Sequence, residues 1–296
     1  LSGREGNDTF LATGATLQLG DMLDGKGGND VLDVSISGSG VSLAGFAATS
    51  IETIRVKSLA TDASTLDLSD TSGVTKLESY ETSGASLTFR DVQDVNAVDV
   101  SIIDTDETHT YQYDANAYSA GVDKVDLSLS EVRGAEINFQ NNNGSRSFVE
   151  QVDIVSNDRL DAGPTPAVDN LVSELNVGAA LATVNITGNG DLEVEAALDE
   201  NISVVNAGTL NANLTLDLSE SNDGDAEEAD GVAEIVYTGA LGDDTVTFGD
   251  TNNAKRVVLQ SGNDSVITGT GAASVDGGTG NDTIMTGALN DLVIGG

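Results

Sequence analysis

Clusters of glycine and aspartate recur near both ends of the 296-residue sequence, and they contain the side chains best suited to chemistry. The stretch from Gly277 to Met285 matches the nine-residue pattern G-G-x-G-x-D-x-U-x, in which U is a large apolar residue. Glycine permits positive φ and lets backbone carbonyls approach one another, and the aspartate adds a carboxylate beside them. Hard oxygen ligands of this kind suit Ca²⁺, which takes about six to eight oxygens at roughly 2.3–2.6 Å. The pattern therefore predicts calcium binding at these turns.

Less complete clusters of the same kind lie upstream of this stretch and near the N-terminus. The predicted metal-binding residues are the glycines and aspartates of all these clusters: Gly3, Gly6, Asp8, Gly25, Gly28, Asp30, Gly239, Gly242, Asp244, Gly262, Asp264, Gly277, Gly278, Gly280, Asp282 and Asp291. The segment Asp217–Asp230 is also acidic, but it lacks the glycine and terminal glutamate placement of an EF-hand. We interpret it as a solvated insertion, with a further calcium loop as the alternative.

Near the C-terminus, apolar residues recur every nine positions, at Val257, Val266, Val275, Ile284 and Val293. In such a repeat about six residues form a bend and about three form a strand, so two half-turns complete a coil of about 18 residues. Asp264 and Asp282 are separated by one such coil and are predicted to face each other across one metal site. Asp244 precedes Asp264 by one coil plus two residues, and a two-residue insertion keeps it on the same edge.

The equivalent positions on the opposite edge are Lys255, Ala273 and Asp291. Lysine and alanine side chains offer no oxygen ligand. The sequence thus predicts a roll that holds metal along one edge only.

The middle of the chain repeats an apolar triplet, with two residues three positions apart and a third two positions further on. The triplets recur at intervals of roughly 21 to 30 residues, a period typical of solenoid proteins. The central members are Ile54, Leu77, Val98, Val125, Val152, Leu175, Val205, Ile235 and Val257, with an additional short copy at Val184. A second strand-like alternation follows in many units, as at Leu87/Phe89 and Leu192/Val194. Short strands in units of this length are typical of a parallel β-helix.

We therefore predict an all-β chain that forms a parallel β-helix, or β-solenoid. Residues 1–33 contribute calcium-binding turns, residues 34–238 the strand repeats, and residues 239–296 a β-roll. β-Sandwich domains joined by calcium-binding turns are the alternative, because short alternating strands also occur in sandwiches.

The charge balance restricts the partners. Twelve Lys and Arg against 49 Asp and Glu give a net charge of −37, which repels nucleic acid and favours cations. The hydrophobic fraction of 39% argues against a wholly disordered acidic tail. No cysteine is present, so bound metal is a means of stabilising the fold outside the cell. The sequence has no long apolar run, predicts no membrane insertion, and is interpreted as a piece of a longer polypeptide.

Catalytic motifs are not found, and we predict neither catalytic residues nor enzymatic activity. His109 is the one histidine and is expected to be a surface residue; no H-E-x-x-H, G-x-S-x-G or phosphate loop occurs. A β-helix polysaccharide lyase would need a basic residue beside a calcium-carboxylate cluster. Arg90-Asp91 is the single candidate for that arrangement.

The stretches Gly277–Met285, Gly239–Thr247 and Ser261–Ile267 resemble the calcium-binding β-roll of RTX (repeats-in-toxin) proteins. The strand repeats before them, including Ile202–Leu210 and Leu214–Ser219, are similar to those of bacterial S-layer proteins of RTX type. The resemblance implies type I secretion in an unfolded state and folding on extracellular Ca²⁺.

The family's metal positions correspond to Asp244, Asp264 and Asp282 with their glycines. Leu289 in place of the last loop glycine puts a site at Asp291 in doubt.

Three functions are compatible with these observations. The first is a calcium-dependent structural component of a bacterial surface (S-)layer, secreted to the cell surface and packed against copies of itself in a lattice. Cell-surface polysaccharide would then bind through regions outside this segment. The alternatives are a calcium-rigidified RTX adhesin or biofilm matrix protein and, third, a polysaccharide-acting enzyme.

Overall fold

A computed structural model describes residues 1–145, 147–158, 168–198, 201–220, 234–250 and 253–296. These residues form 26 β-strands and no helix, which confirms the prediction of an all-β chain. Accordingly, none of the described segments is a helix that could cross a membrane. Most of the acidic segment Asp217–Asp230 lies outside the described residues.

The strands are short, with one exception. Residues before 81 form β1 (Thr9–Thr13), β2 (Met22–Asp24), β3 (Val31–Gly38), β4 (Ser42–Leu43), β5 (Ala47–Thr49), β6 (Thr53–Ala60), β7 (Ser64–Asp67), β8 (Thr71–Ser72) and β9 (Lys76–Tyr80). Next come β10 (Leu87–Val92), β11 (Asp99–Thr105), β12 (His109–Tyr113), the long β13 (Lys124–Asn141), β14 (Gln151–Asn157), β15 (Asn170–Asn176), β16 (Thr183–Gly188) and β17 (Leu192–Val194). The remainder are β18 (Val204–Leu210), β19 (Leu214–Leu218), β20 (Glu234–Thr238), β21 (Asp244–Phe248), β22 (Ala254–Val258), β23 (Ser265–Ile267), β24 (Ala273–Asp276), β25 (Thr283–Met285) and β26 (Leu292–Ile294).

Pairing between these strands is parallel throughout the described part of the chain, and most strands pair with the strand two positions along. Two long ladders result. The first ladder runs β1, β3, β6, β9, β11, β13, β14, β16, β18, β20, β22, β24 and β26. The second runs β4, β7, β10, β12, β13, β15, β17, β19, β21, β23 and β25. The strands β2, β5 and β8 form a short third ladder. Antiparallel sandwiches pair their strands differently.

The nine-residue repeat lies in the predicted register. Val257 pairs with Val275 and Val275 with Val293 in the first ladder, while Val266 pairs with Ile284 in the second. Consecutive members of the repeat therefore alternate between ladders, and every second member is a neighbour within one ladder. Val257, Val266 and Val275 are buried, Ile284 is partly buried, and Val293 is 46% exposed.

Three elements of the middle repeat depart from the prediction. Leu77 pairs with Val100 instead of Val98, and Val205 and Val257 each pair with Tyr237 instead of Ile235. The third departure changes the ladder. Leu175, taken from the sequence as a regular member, lies in β15 of the second ladder. The regular position in the first ladder belongs to Val184, which pairs with Val152 and Val205. Apolar triplets mark the interior of both ladders, so the pattern alone does not say which ladder a strand joins.

The interior of the middle region is apolar and aromatic. Phe89, Tyr111 and Phe139 stack along the second ladder with ring centroids 5.3 and 5.4 Å apart. The expectation of a surface His109 is wrong: the side chain is fully buried, with Nε2 2.7 Å from Ser79 Oγ and Nδ1 2.8 Å from the Glu107 carbonyl oxygen. Side chains alternate along β12, so His109 points inward together with Tyr111. The polar residues next to it in the sequence suggest a surface position.

Candidate metal centre

Four of the glycine-aspartate turns at the two ends share one backbone geometry, and the turn at Gly242 departs from it. The glycine two residues before the aspartate has φ of +124° at Gly6, +137° at Gly28, +140° at Gly262 and +139° at Gly280. A residue with a Cβ rarely adopts these angles. The N-terminal and C-terminal clusters are therefore equivalent turns, although their sequences differ.

Asp244, Asp264 and Asp282 form one column. Asp244 is the first residue of β21, and Asp264 and Asp282 immediately precede β23 and β25. The backbone N–H of Asp244 donates to Asp264 Oδ1 at 2.8 Å, and that of Asp264 donates to Asp282 Oδ1 at 3.2 Å. Asp244 Oδ2 accepts the N–H of Ala240 at 2.8 Å. The chain between the first two aspartates is two residues longer than the chain between the second two, yet the register is undisturbed. The structure thus brings together the three residues assigned to one edge.

This column occupies an interior position of the fold. Asp244 pairs with Leu214, and Leu214 pairs with Leu192, both of which are buried. From β21 onward carboxylates replace leucines at this place, and Asp244 and Asp264 are each only 1% exposed. Buried carboxylates are costly unless an opposite charge or hydrogen-bond donors compensate them.

The compensation by protein groups is incomplete. One buried carboxylate oxygen has no hydrogen-bond partner among the described residues at each of Asp244 (Oδ1), Asp264 (Oδ2) and Asp282 (Oδ2). Buried polar atoms are nearly always paired, so the repeated orphan at equivalent positions leaves a place for a partner outside the described residues, either water or a cation. A divalent cation bound by oxygen ligands is such a partner.

Glycine five residues earlier leaves room beside Asp244 and Asp282, whereas the equivalent position for Asp264 is Leu259. At Gly277 a Cβ would lie 2.6 Å from Asp282 Oδ2 and 3.3 Å from the Gly295 carbonyl oxygen, and the contact with Oδ2 would force the carboxylate to move. At Gly239 it would meet Asp244 Oδ2 and, at 3.2 Å, the Leu259 carbonyl oxygen. The absent Cβ therefore leaves space between a carboxylate and a carbonyl from another strand of the fold. This mixed oxygen lining fits Ca²⁺.

The electrostatic state of the column agrees with that interpretation. Burial raises the pKa of Asp244 to about 8, and the charge of Asp264 adds to the effect. Burial also raises the pKa of Asp264, with a contribution from Asp282. The protein alone thus disfavours the ionised form, and a cation in the column would restore it.

A similar column lies at the N-terminal end, in the first ladder. The Asp8 N–H donates to Asp30 Oδ1 at 2.7 Å, and Asp8 Oδ2 accepts the Arg4 N–H at 2.6 Å, as Asp244 does from Ala240. Asp30 is 1% exposed, and its Oδ2 has no partner among the described residues. The Lys26 ammonium pairs with Asp24, at 2.5 Å.

On the opposite edge of the C-terminal segment, the three predicted residues occupy equivalent positions at successive strands of the first ladder. Lys255 pairs with Ala273, and the Ala273 N–H donates to Asp291 Oδ1 at 2.9 Å. Lys255 is 1% exposed, and burial lowers the pKa of its ammonium against the opposing field of Asp250 and Asp291. A buried ammonium therefore occupies the edge that lacks the aspartate column.

The described residues contain no group of three or more histidine, cysteine, aspartate or glutamate side chains that converge on one point. Adjacent members of the aspartate columns are one strand spacing apart, so each site would combine one or two carboxylates with backbone carbonyls. The assigned glycines fit this role through their carbonyl groups and their lack of a Cβ.

Sequence reasoning missed a second, more exposed ladder beside the buried column. Side chains of asparagine and aspartate accept the backbone N–H of the equivalent residue in the following strand, from Asp169 through Asp191, Asn213, Asp243 and Asn263 to Asn281. Its N-terminal counterpart joins Asn7 Oδ1 to the Asn29 N–H at 2.9 Å. The Asn-Asp dipeptide was a usable signal, because its first residue extends this ladder and its second the buried column.

Arg90 is held by carboxylates. Its guanidinium pairs with Asp67 and, at 3.3 Å, with Asp91, whose backbone has φ of +59°. Asn142 in turn donates to Asp91. Ion pairs with Asp91 and with Asp67 of the neighbouring strand β7 account for the Arg90-Asp91 placement.

The fold and the site define an all-β protein with parallel ladders and buried aspartate columns beside glycine turns. A comparison with protein-family models, with curated proteins and with solved structures finds no match.

Proposed function

We propose that the chain is a β-solenoid whose C-terminal segment is a calcium-binding β-roll of RTX type. Parallel pairing of each strand with the strand two positions along supports this arrangement, since each coil then contributes one strand to each long ladder. The interior apolar positions in both ladders supply the core.

On this fold we propose a calcium-dependent structural component of a bacterial surface layer, which folds and assembles outside the cell. The observation that carries the proposal is the column Asp244, Asp264 and Asp282, with its unpartnered buried oxygens and its glycine-lined space. Because the unfolded chain presents no preformed site, the free energy of calcium binding becomes free energy of folding.

The net charge of −37 supports assembly through divalent cations, because copies of so anionic a chain repel one another until the charge is neutralised. Type I secretion to the cell surface is compatible with a chain that folds only where Ca²⁺ is available.

The test combines folding with assembly. Calcium titration of the metal-stripped protein, followed by circular dichroism, should show a gain of β-structure, and Asp264→Ala should shift the midpoint to higher calcium more than Asp291→Ala. Asp264 is central in the column and contacts both neighbours. Equal midpoints for Asp264→Ala and the unmodified chain would contradict the proposal.

Electron microscopy of the calcium-loaded protein tests the surface layer itself. Two-dimensional lattices that dissolve in chelator are expected. Monodisperse rods that bind glycans would favour the adhesin, and a lattice that resists chelator but dissolves in mild detergent would show that cations do not hold it.

A further inference from the structure

The N-terminal aspartate column has a third member outside the glycine-aspartate repeats. The Asp30 N–H donates to Glu52 Oε2 at 2.7 Å, in the same direction as Asp8 donates to Asp30. The register agrees, because Val31 pairs with Thr53. Asp8, Asp30 and Glu52 thus repeat the arrangement of Asp244, Asp264 and Asp282, with glutamate as the last carboxylate.

The space beside Asp30 has the same lining as the C-terminal sites. A Cβ on Gly25 would collide with both Asp30 Oδ2 and the Ser50 carbonyl oxygen, so these two oxygens lie close to a common point. At Gly3 the equivalent position lies 2.6 Å from Asp8 Oδ2 and 2.7 Å from the Gly25 carbonyl oxygen. Ser50 has φ of +51°, a backbone angle unusual for serine, and it directs the chain into this turn.

Asp30 is 1% exposed, and its carboxylate oxygen Oδ2 has no hydrogen-bond partner among the described residues. Oδ2 and the Ser50 carbonyl oxygen are both acceptors, so their proximity is unfavourable unless a positive charge lies between them. The carboxylate of Glu52, fixed on the Asp30 backbone, adds a second negative charge at this place.

We propose that Asp30, Glu52 and the main-chain carbonyl of Ser50 bind a divalent cation of the calcium type, one coil beyond the last N-terminal glycine turn. This inference rests on the proposed calcium-dependent function and adds a site to it. The segment from Ser50 to Glu52 carries neither glycine nor an Asn-Asp pair, so no sequence motif marks it.

The chain contains a matched control in Glu150. Its Oε2 accepts the Asp123 N–H at 3.1 Å, and Lys124 pairs with Gln151, so the glutamate and aspartate are placed as Glu52 and Asp30 are. Asp123, however, is satisfied: its Oδ1 accepts the Ser119 N–H at 2.8 Å and the Asn96 amide at 3.1 Å. Glu150 therefore accepts the same kind of hydrogen bond, but the aspartate that donates it has no buried carboxylate oxygen left without a partner among the described residues.

The experiment compares Glu52→Gln with Glu150→Gln in the full chain. Glutamine keeps an oxygen that can accept the N–H and removes only the charge. Isothermal titration of the metal-stripped protein with CaCl₂ should show that Glu52→Gln loses one bound calcium or binds it at least about tenfold more weakly, since ligand charge sets calcium affinity. Glu150→Gln should match the unmodified chain.

Hydrogen exchange gives a local readout. Calcium should protect the amides of β3 and β6 in the unmodified chain and in Glu150→Gln, and should fail to do so in Glu52→Gln, while protection of β23 persists in all three. Without calcium, Glu52→Gln should exchange no faster than the unmodified chain, because it removes a repelling charge. A Glu52→Gln variant that exchanges faster even in chelator would show a structural role for the glutamate and overturn the site.

Unchanged calcium protection of β3 and β6 in Glu52→Gln would also overturn it. If Asp264→Ala still weakens calcium binding in that case, the proposed function stands without the additional site. If the unmodified chain binds no calcium, both proposals fail.

Discussion

Replacing Asp244 with asparagine should affect the metal-free and calcium-loaded protein in opposite directions. Burial raises the pKa of Asp244 from 3.8 to about 8. Because the folded-state value lies above the unfolded one, the carboxylate adds no penalty below about pH 3.8, and the penalty grows as the pH rises towards 8. At pH 7 it destabilises the metal-free fold by about 4 kcal/mol, at about 1.36 kcal/mol for each pH unit above 3.8.

Asp244→Asn removes that penalty and should stabilise the metal-free C-terminal segment by up to about 4 kcal/mol at pH 7. In saturating calcium the same variant lacks an anionic ligand and should be less stable than the unmodified chain. The order of the two proteins is thus expected to reverse when calcium is added. Hydrogen exchange of β21 to β24 in urea, with chelator and with calcium, measures both differences locally.

Asp243→Asn is the control, since it removes the same charge from the adjacent, more exposed residue. Asp243 Oδ1 accepts the Asn263 N–H at 2.7 Å, and asparagine can accept the same bond. Its effect should stay within about 0.5 kcal/mol in either condition. Equal shifts in the two variants would refute burial as the source of the penalty, and unchanged calcium stabilisation of Asp244→Asn would refute its role as a ligand.

Two further predictions concern buried groups outside the aspartate columns. Burial lowers the pKa of His109 from 6.5 to about 4, so its contribution to stability is complete above pH 6.5 and is lost as the pH falls towards 4. Urea unfolding should show a loss of about 2 kcal/mol between pH 7 and 5 that is absent from His109→Gln; identical pH profiles would contradict it. Lys255→Ala should lower the free energy of unfolding by about 2 kcal/mol through the loss of three buried methylenes, without changing the number of calcium ions bound at saturation. A changed number of bound calcium ions, measured by titration calorimetry, would place Lys255 in a metal site.

The nine-residue period was sufficient to predict the register of the C-terminal strands and the aspartate column. Both predictions rest on counting. Residues that are one coil of about 18 positions apart fall at equivalent places on the same ladder, whether they are apolar or aspartate. Counting did not place Leu175, because coil lengths in the middle vary and both ladders bury the same residue types.

Glu52 shows why part of the site was not predictable. Its role depends on a hydrogen bond to Asp30, in the preceding coil, and on the backbone angle of Ser50, and neither has a sequence signature. Lys26 and Gln260 give the converse lesson. Both adopt positive φ, at +76° and +70°, four positions before an aspartate, where the motif has glycine at Gly278 with φ of +72°. The same positive φ is therefore adopted at all three positions, although only Gly278 of the three is a glycine.

The two kinds of interior explain why folding of this chain would depend on calcium at particular places. Along the second ladder the same inward position is filled by Leu192 and Leu214 and then by Asp244. A leucine there stabilises the stack in any solution, whereas an aspartate opposes it until a cation neutralises the carboxylate. The aromatic stack in the middle has no such requirement. The glycine-aspartate segments would therefore fold only when calcium is bound, while the apolar coils between them would stay folded with or without calcium.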